Sequence, residues 1–393
     1  MQYYKDVQPW SMHSKPISVL ENNDHLGLIV SGVREEEKNV DLKLKKARGS
    51  LFSLLGPAFS SRCLLSPSVQ LHLYRTFTCP IARSGLAAMT LRTNHLNPLI
   101  MFQKKTIRGF LHLSDRAPVP SLFFLTGELP IEGKLHRDIF ALFFNIWINP
   151  KTKIYSIVKY LMENSPVNSR TWSRHIRNLA SLYDIEDPLE LLMKDPPPKS
   201  QFKEYILTKI TAYHEAQLRI AATHNSKMKF LNTSMTGLRG RHHPAISNIT
   251  TTQGVSQLRP HLKMLCGDIY TYEQKSKYQG GSPHCRLCGE IGKNIEDLQH
   301  ILTFCSAYSE LRNKVLQEMA NICELANNGV NFQEIQSDPL TLTQFILDCT
   351  SFNLTKRINY NDNMTSDIFT LSRHLCCHIL KTRSRKLKSL ELK

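Results

Sequence analysis

The stretch from Cys285 to Cys305, CRLCGEIGKNIEDLQHILTFC, carries four metal-ligating side chains at a spacing that predicts one binding site. Two residues separate the first two cysteines, eleven separate the second cysteine from the histidine, and four separate the histidine from the last cysteine. The candidate ligands are Cys285, Cys288, His300 and Cys305. Thiolates combined with one imidazole select zinc, and four protein ligands leave no open coordination position. The spacing therefore predicts a single structural zinc ion in a C2HC site.

A pair of cysteines two residues apart is also typical of redox motifs, and this alternative stays open at the level of sequence. No βαβ pattern surrounds the pair, whereas Gly280, Gly281 and Pro283 before it and Gly289 after it favour the tight turns of a metal loop. The remaining cysteines stand in apolar, mostly helical contexts and are expected to be reduced core thiols. They are Cys63, Cys79, Cys266, Cys323, Cys349, Cys376 and Cys377.

Composition points to an ordered and strongly basic protein. Of the 393 residues 41% are hydrophobic, which is enough to form hydrophobic cores. The chain has 50 basic and 33 acidic residues, which gives a net charge of +17. Such an excess favours a polyanionic partner, RNA or DNA, although a basic protein without such a partner remains an alternative. Met1–Trp10 lacks the pattern of a signal peptide, and the longest apolar run, Ile139–Ile148, is half the ~20 residues that a bilayer requires. We therefore expect no membrane partner and a nuclear or cytoplasmic location.

The hydrophobic periodicity predicts a mainly α fold with a short N-terminal β segment. Runs at Ser11–Val19 and Leu26–Ser31 suit strands, with Asn22–Asp24 as the turn between them. From Glu35 onward the apolar spacing is helical, and Gly56-Pro57 ends the first helix. The apolar face of this helix consists of Val40, Leu44, Ala47, Leu51 and Leu55. Further helices are predicted at 66–89 with a bend at Pro80, and at 97–113, 134–148, 152–164, 169–183, 200–229, 253–265, 268–278, 308–322 and from 366.

Breaks in this periodicity divide the chain into five segments. The prolines at 196–198 form the clearest linker, and a stretch rich in Gly, Ser, Thr and Asn follows at 232–252. We expect a β remnant at 1–33, helical thumb and connection regions at 34–194, and a long helix with a basic loop at 199–252. The C2HC zinc-binding module with its flanking helices is placed at 253–327, and a helical tail at 328–393.

Three basic clusters are candidate nucleic-acid contacts. The first is a helical cluster beside Phe102 and Phe110, made of Lys104, Lys105 and Arg108. The second is a glycine-containing loop whose cations suit phosphate, made of Arg239, Arg241, His242 and His243. The third is the end of the last helix, made of Lys381, Arg383, Arg385 and Lys386. An ordinary amphipathic helix, an exposed loop and a solvated helix end give the same patterns without a partner, and these alternatives stay open.

Catalytic signatures are missing from the sequence. There is no G-x-S-x-G elbow, P-loop or H-E-x-x-H motif, and no two aspartates are adjacent anywhere in the chain. Metal-dependent nucleotidyl transfer relies on carboxylates that hold two cations about 4 Å apart. We therefore predict no catalytic residues and no small-molecule substrate. His374 and His378 stand four residues apart, but they are expected to be partly buried histidines rather than a second metal site.

Four stretches resemble the C-terminal part of a reverse transcriptase from a non-LTR (LINE, jockey-like) retrotransposon. HLGLIVS at 25–31 resembles the strand of the primer-grip region, and NVDLKLKKARGSLFSLLGPAFSS at 39–61 resembles the first thumb helix. The segment at 258–305 resembles the family's C2HC region. QFILDCTS at 344–351, with the basic Arg383-Ser384-Arg385, resembles the end of such reading frames. The resemblance extends over nearly the whole chain, and the zinc segment with QFILDCTS is its most specific part.

The resemblance implies a nucleic-acid-binding thumb, connection and zinc region without polymerase activity of its own. The catalytic aspartates of the family, which bind Mg²⁺ in the intact parent enzyme, are expected upstream of Met1. The eleven-residue gap before His300 is longer than that of a retroviral zinc knuckle, so knuckle-like base recognition is not carried over. The alternative function is that of a helical structural or protein-interaction protein in which zinc only joins helices and no nucleic acid binds.

Overall fold

The computed structural model describes residues 11–12, 15–16, 20–56, 65–247, 249, 251–288, 294–325, 331–352 and 362–391. Within these ranges the protein is mainly α, as predicted. The helices are α1 Glu35–Leu55, α2 Pro67–Leu73, α3 Cys79–Arg83, α4 Thr93–Leu111, α5 Val119–Thr126, α6 Ile131–Trp147, α7 Lys153–Asn164, α8 Trp172–Leu182, α9 Pro188–Leu192, α10 Lys199–Thr223, α11 Thr252–Leu265, α12 Tyr272–Gln279, α13 Ser309–Leu325, α14 Phe332–Ser337, α15 Pro339–Leu347 and α16 Asp362–Glu391.

The β structure consists of two short antiparallel ladders near the N-terminus. The strands are β1 Ser11–Met12, β2 Lys15–Pro16, β3 Asn22–His25 and β4 Leu28–Ser31, and β1 pairs with β2 and β3 with β4. The turn predicted at Asn22–Asp24 is wrong, because these residues lie in β3. The chain reverses instead at Leu26 and Gly27, which have φ values of 50° and 76°. Two successive positive φ angles match the right-handed twist of a two-residue hairpin.

Helix α1 supplies the hydrogen-bonding partner that the edge of this hairpin needs. Asn39 is fully buried. Its side-chain amide accepts a hydrogen bond from the backbone N–H of Ile29 at 2.8 Å and donates one to the backbone carbonyl of Ile29 at 2.7 Å. Lys43 donates to the carbonyl of Gly27 at 2.9 Å. An unpaired strand edge exposes polar groups that must otherwise bond to water or another chain. The hairpin is therefore part of the α1 surface rather than an isolated ladder.

The apolar face predicted for α1 is confirmed where the structure describes it. Val40, Leu44, Ala47 and Leu51 are buried, whereas Leu55 has no described side chain and 57–64 lie outside the described residues. The irregularity predicted at Pro80 is a π turn, Tyr74–Thr78, between α2 and α3. Proline cannot donate the backbone hydrogen bond of an α-helix, and its ring crowds the carbonyl four residues earlier, so the preceding turn widens.

Aromatic packing joins the long helices of the first 223 residues. Helix α6 packs against α4 and α10, with Phe140 and Phe143 fully buried. The rings of Phe144 and Phe202 stack with their centroids 4.9 Å apart, and Trp147 meets Phe202 edge-on at 5.9 Å. Large aromatic side chains contribute most of the burial energy of such a core. This core makes α6 and α10 one rigid unit.

A second helical group contains α11, α13, α15 and α16, with α16 in contact with the other three. A buried polar junction anchored on Asp348, at the end of α15, ties this group to the chain before α11. The Asp348 carboxylate accepts hydrogen bonds from the backbone N–H of Asn232 at 2.7 Å and from Thr350, and lies 3.3 Å from Nε2 of His243. Nδ1 of His243 accepts from Ala245 N–H, so the proton of the neutral ring lies on Nε2.

Membrane insertion was not expected, and within the described ranges no helix combines the length and the apolar character that a bilayer crossing requires. The described cysteines other than the candidate ligands are buried and free of disulfide bonds, as predicted. Cys63 lies outside the described residues.

The junction at Asp348 provides a test of the fold. We expect Asp348→Asn to lower the free energy of unfolding by about 2 kcal/mol, because the amide replaces an acceptor by a donor facing buried N–H groups. The change is measured by urea denaturation. Asp115→Asn, which makes the same charge change at an exposed position, is the control. A stability of Asp348→Asn equal to that of the control would contradict this role.

The contribution of Asp348 to stability depends on pH in a defined direction. Burial opposes ionisation, but the nearby His243 and hydrogen bonds from Thr350 and Asn232 lower the pKa of Asp348. A carboxyl with a lowered folded-state pKa contributes stability above its unfolded pKa of about 3.9, and that contribution is lost as the pH falls through the folded value. The stability difference between the wild type and Asp348→Asn should therefore shrink below about pH 4.

Candidate metal centre

Four side chains converge on one buried point. The ligand atoms of Cys285, Cys288, His300 and Cys305 all lie within 4.8 Å of one another, and all four residues are buried. The sulfurs of Cys285 and Cys305 are 3.9 Å apart, and the sulfur of Cys288 lies 3.7 Å from Nε2 of His300. The S–S distance is far longer than the ~2.05 Å of a disulfide bond. The predicted ligands therefore form a cluster that could hold a metal ion, which confirms their grouping.

A short hairpin positions the first two cysteines. His284 and Ile295 form an antiparallel bridge, the N–H of Cys285 donates to the carbonyl of Asn294 at 2.8 Å, and the N–H of Glu296 donates to Pro283 at 2.9 Å. The backbone N–H of Leu287 points to the sulfur of Cys285 at 3.4 Å. An N–H that donates to sulfur stabilises the thiolate, the form that ligates metals. The hairpin thus fixes the position of its first cysteine and helps to stabilise the thiolate of that residue.

A π turn, His300–Phe304, positions the other two ligands. In an α-helix, side chains five residues apart diverge by about 140°, because each residue turns the helix by about 100°. The wider π turn, closed by the N–H of Cys305 donating to the carbonyl of His300 at 2.8 Å, reduces this divergence. Both ligand atoms then face the hairpin. Isolated π turns are often found at functional sites for this reason.

Neighbouring polar residues hold the two ligand-bearing segments in place. The carboxylate of Asp297 accepts the backbone N–H of His300 at 2.6 Å, which caps the turn. Arg312, from α13, donates to the carbonyl of Cys305 at 2.9 Å. The thiol of Cys305 also lowers the pKa of Cys285 by hydrogen bonding to its sulfur. Substituting groups that orient ligands in this way typically costs about 10- to 100-fold in metal affinity.

The hairpin is joined to the last helix by a buried ion pair. Glu296, only 1% exposed at its side chain, pairs with Arg383 of α16 and accepts the N–H of Tyr272 at 3.1 Å. Arg383 also donates to the carbonyl of Tyr270 at 3.1 Å and lies over the ring of Tyr272. Removing one partner of a buried pair leaves an uncompensated charge, which is strongly destabilising. The position of α16 therefore depends on the loop that carries the ligands.

Sequence reasoning found the ligands and missed these supporting residues. Asp297 stands three residues before His300, a capping pattern that could have been recognised. Glu296 and Arg383 are 87 residues apart, and no local pattern links them.

The basic cluster on α4 divides between core and surface. Lys105 is exposed and Lys104 is half-buried, whereas Arg108 is buried and donates to the carbonyl of Ala117 at 3.2 Å. Burial and the nearby Arg108 lower the pKa of Lys104. Phe102 and Phe110 are core residues. The burial of Arg108 and its bond to Ala117 argue against the predicted contact of Arg108 with nucleic acid.

The basic loop is packed against the end of α5 rather than free. The N–H of Gly240 donates to the carbonyl of Gly127 at 2.8 Å, and a Cβ on Gly127, whose φ is 63°, would lie 2.1 Å from the carbonyl oxygen of Arg241. Arg239 is exposed and pairs with Glu204 at 2.7 Å, and Arg241 is exposed.

The two histidines of this loop differ in access. His242 is half-buried, and desolvation followed by the charge of Arg75 lowers its pKa to about 4. His243 is fully buried in the Asp348 junction. The position of its ring beside Asp348 and Phe369 argues against the predicted contact of His243 with nucleic acid.

The tail cluster also separates into two faces of α16. Lys381 and Arg385 are exposed, and Lys386 is exposed but donates to the carbonyl of Ala307 at 3.1 Å. Arg383 faces inward and pairs with Glu296. The bonds from its Nη2 to Glu296 and to the carbonyl of Tyr270 argue against the predicted contact of Arg383 with nucleic acid.

Removing ligands tests the metal site. We expect Cys285→Ser and Cys305→Ser to lose bound metal and to increase amide hydrogen exchange across 283–312, because metal binding and local folding are coupled. Native mass spectrometry gives the metal content, and hydrogen-exchange mass spectrometry gives the protection. Cys323→Ser, a buried thiol elsewhere, should keep one metal ion per chain. Wild-type metal content and protection in both ligand variants would exclude the site.

Comparison with known proteins adds no relative. No family model matches the chain, and neither a curated protein nor a solved structure matches it. The likeness to a reverse transcriptase therefore stays a prediction that rests on the residues quoted for it.

Proposed function

We propose that the chain is a nucleic-acid-binding protein whose C-terminal part is held together by one zinc ion. In this proposal it is the thumb, connection and C2HC portion of a non-LTR retrotransposon reverse transcriptase, and its partner is RNA or DNA. The observation that carries the proposal is a line of basic side chains on α16, three of them exposed lysine or arginine residues, on a helix whose opposite face is docked on the metal centre.

The line, called the α16 row below, consists of His374, His378, Lys381, Arg385 and Lys388. Its members are separated by alternating steps of four and three residues, so they share one face of the helix. The last four are exposed, and His374 is half-buried. At 1.5 Å per residue, the row is about 21 Å long. No acidic residue occurs between Thr370 and Lys388, so the row carries uncompensated positive charge along α16.

The electrostatics of the row favour a polyanion. The rings of His374 and His378 lie 4.7 Å apart. Partial burial, and then the positive charges of His374, Lys381 and Arg385, lower the pKa of His378. A line of like charges is unfavourable in the free protein and is relieved when phosphates bind beside it. Such contacts fix the orientation of a strand without reading its sequence.

The inner face of the same helix is fixed by contacts to the metal module. Arg383 pairs with Glu296, and Lys386 donates to the carbonyl of Ala307, two residues after the last ligand. The three exposed cations therefore project from a helix that cannot rotate freely. A preorganised row binds more strongly than the same charges on a flexible tail, because less conformational entropy is lost on binding.

Zinc is the metal that best fits the cluster. Three thiolates and one imidazole are soft ligands that favour zinc over calcium or magnesium. A tetrahedral site with Zn–S distances of about 2.3 Å has S–S edges of about 3.8 Å and S–N edges of about 3.6 Å. Two of the six observed edges are 3.9 Å (S–S) and 3.7 Å (S–N), and all six lie within 4.8 Å. Four protein ligands leave no position for substrate, so the ion's contribution is structural.

The row is tested by charge removal. We expect the triple variant Lys381→Gln, Arg385→Gln, Lys388→Gln to bind a fluorescein-labelled oligonucleotide at least about tenfold more weakly. The slope of the logarithm of the association constant against the logarithm of the salt concentration should become shallower by about 2. Each lost phosphate contact lowers the magnitude of this slope by about 0.7 to 0.9. Fluorescence anisotropy across a salt series gives both quantities.

The matched control removes the same charge elsewhere, with Lys151→Gln, Lys153→Gln and Lys203→Gln at exposed positions. Equal weakening by both triple variants would show that only net charge matters and would contradict a role for the row. No binding of the wild type at low salt would favour the alternative, a helical structural or protein-interaction protein.

A second experiment concerns catalysis. Since no adjacent aspartate pair is present to bind catalytic magnesium, we expect no primer extension by the purified protein with primer–template, deoxynucleotides and Mg²⁺. Gel analysis of the labelled primer detects the product, and a commercial reverse transcriptase serves as the positive control. Extension above the no-protein background would contradict the assignment as a binding protein.

A further inference from the structure

A cleft lies beside the metal module, between the α4–α5 loop, the end of α10 and the α11–α12 connection. Its two compartments, of about 420 Å³ and 320 Å³, share Lys227, Gly267, Ile269, Gln274 and Tyr278. Asp297, Leu298 and Gln299, which directly precede the ligand His300, close one end. Volumes of this size suit a ligand of a few hundred daltons.

The walls of the cleft are held by specific contacts. Asp268 is buried and accepts hydrogen bonds from the backbone N–H of Ser114 at 2.8 Å and from its hydroxyl. Gly267 has a φ of 58°, and a Cβ there would lie 2.8 Å from Cβ of Lys227 and 3.0 Å from its carbonyl oxygen. Only glycine combines this conformation with so close an approach. The shape of the cleft is therefore built into the fold.

The charges that face the cleft are unbalanced. Each acidic residue of the lining has a partner: Asp268 with Ser114, Glu273 with Lys277, and Asp297 with the N–H of His300. Three cations of the lining have no such ion-pair partner. No carboxylate among the described residues lies within 4.0 Å of the charged nitrogens of Arg116, Lys227 and Lys229. With Lys277, which pairs with Glu273, the lining carries four cations against three carboxylates, an excess of one positive charge that favours an anionic ligand. Lys227 also donates to the carbonyl of Arg116 at 3.4 Å.

Aromatic rings complete the lining. Tyr278, on the last turn of α12, is 77% exposed, an unusual placement for a large ring. The guanidinium of Arg116 lies over the ring of Tyr270, 5.1 Å from its centroid. Exposed aromatic faces beside cations are the features by which proteins hold unpaired bases and their phosphates. A regular duplex does not offer base faces for stacking.

We propose that this cleft binds single-stranded nucleic acid, with a base stacked on Tyr278 and the adjoining phosphates at Arg116, Lys227 and Lys229. The proposal rests on the nucleic-acid-binding function proposed above and specifies an unpaired strand for this site. The cleft adjoins the inner face of α16 at Tyr270, which lines the cleft and whose carbonyl accepts a hydrogen bond from Arg383.

The experiment uses the full chain and a fluorescein-labelled 12-nucleotide oligo-U, with a 12-base-pair duplex of mixed sequence as a second probe. Tyr278→Ala should weaken oligo-U binding about tenfold, because base stacking on an aromatic ring is lost. Tyr278→Phe, which keeps the ring, should bind like the wild type. Lys227→Gln with Lys229→Gln should also weaken oligo-U binding. Duplex affinity should not change in Tyr278→Ala.

The outcomes separate this proposal from the function on which it rests. If the wild type binds oligo-U and Tyr278→Ala binds it equally well, the cleft is excluded as the site while nucleic-acid binding stands. Equal loss of duplex and oligo-U binding in Tyr278→Ala would also overturn the proposal, since stacking would not be the cause. If the wild type binds neither probe at low salt, both the cleft and the proposed function fail.

Discussion

Three thiols and an imidazole packed within 4.8 Å of one another crowd several potential charges into a buried space. Without a cation, burying thiolates is costly. A bound cation would attract the thiolates and so hold the loop closed. The consequence extends beyond the ligands, because Glu296 lies on the same hairpin and pairs with Arg383 of α16. The metal centre therefore sets the position of the helix that carries the exposed cations.

Two buried polar anchors add to the continuous apolar core of the protein. At the Asp348 junction one buried carboxylate meets backbone N–H groups and His243, and at the metal module Glu296 meets Arg383. Buried polar groups are costly unless they are bonded, so these anchors favour the arrangement of helices in which their bonds form. QFILDCTS thus has a structural use, since its aspartate is Asp348.

Local patterns predicted local structure well. The spacing of Val40, Leu44, Ala47 and Leu51 identified the buried face of α1, and the ligand spacing identified the metal cluster. Predictions failed where a residue distant in sequence determines whether a side chain is buried or where a turn lies. The sequence around His243 looks like an exposed basic loop, but Asp348 and the end of α5 bury it. The turn of the hairpin lies at Leu26 and Gly27 and not at the predicted position, because Asn39 of α1 pairs with Ile29. Strand propensity cannot show such a contact.

X-ray absorption at the zinc edge of the purified protein is the most direct test of the central claim, that one zinc ion closes the module on three sulfurs and one nitrogen. The account predicts a first coordination shell with three sulfurs at about 2.3 Å and one nitrogen at about 2.0 to 2.1 Å. A shell of oxygen and nitrogen atoms without sulfur would place the metal elsewhere. Such a spectrum, or the absence of stoichiometric zinc, would contradict the account.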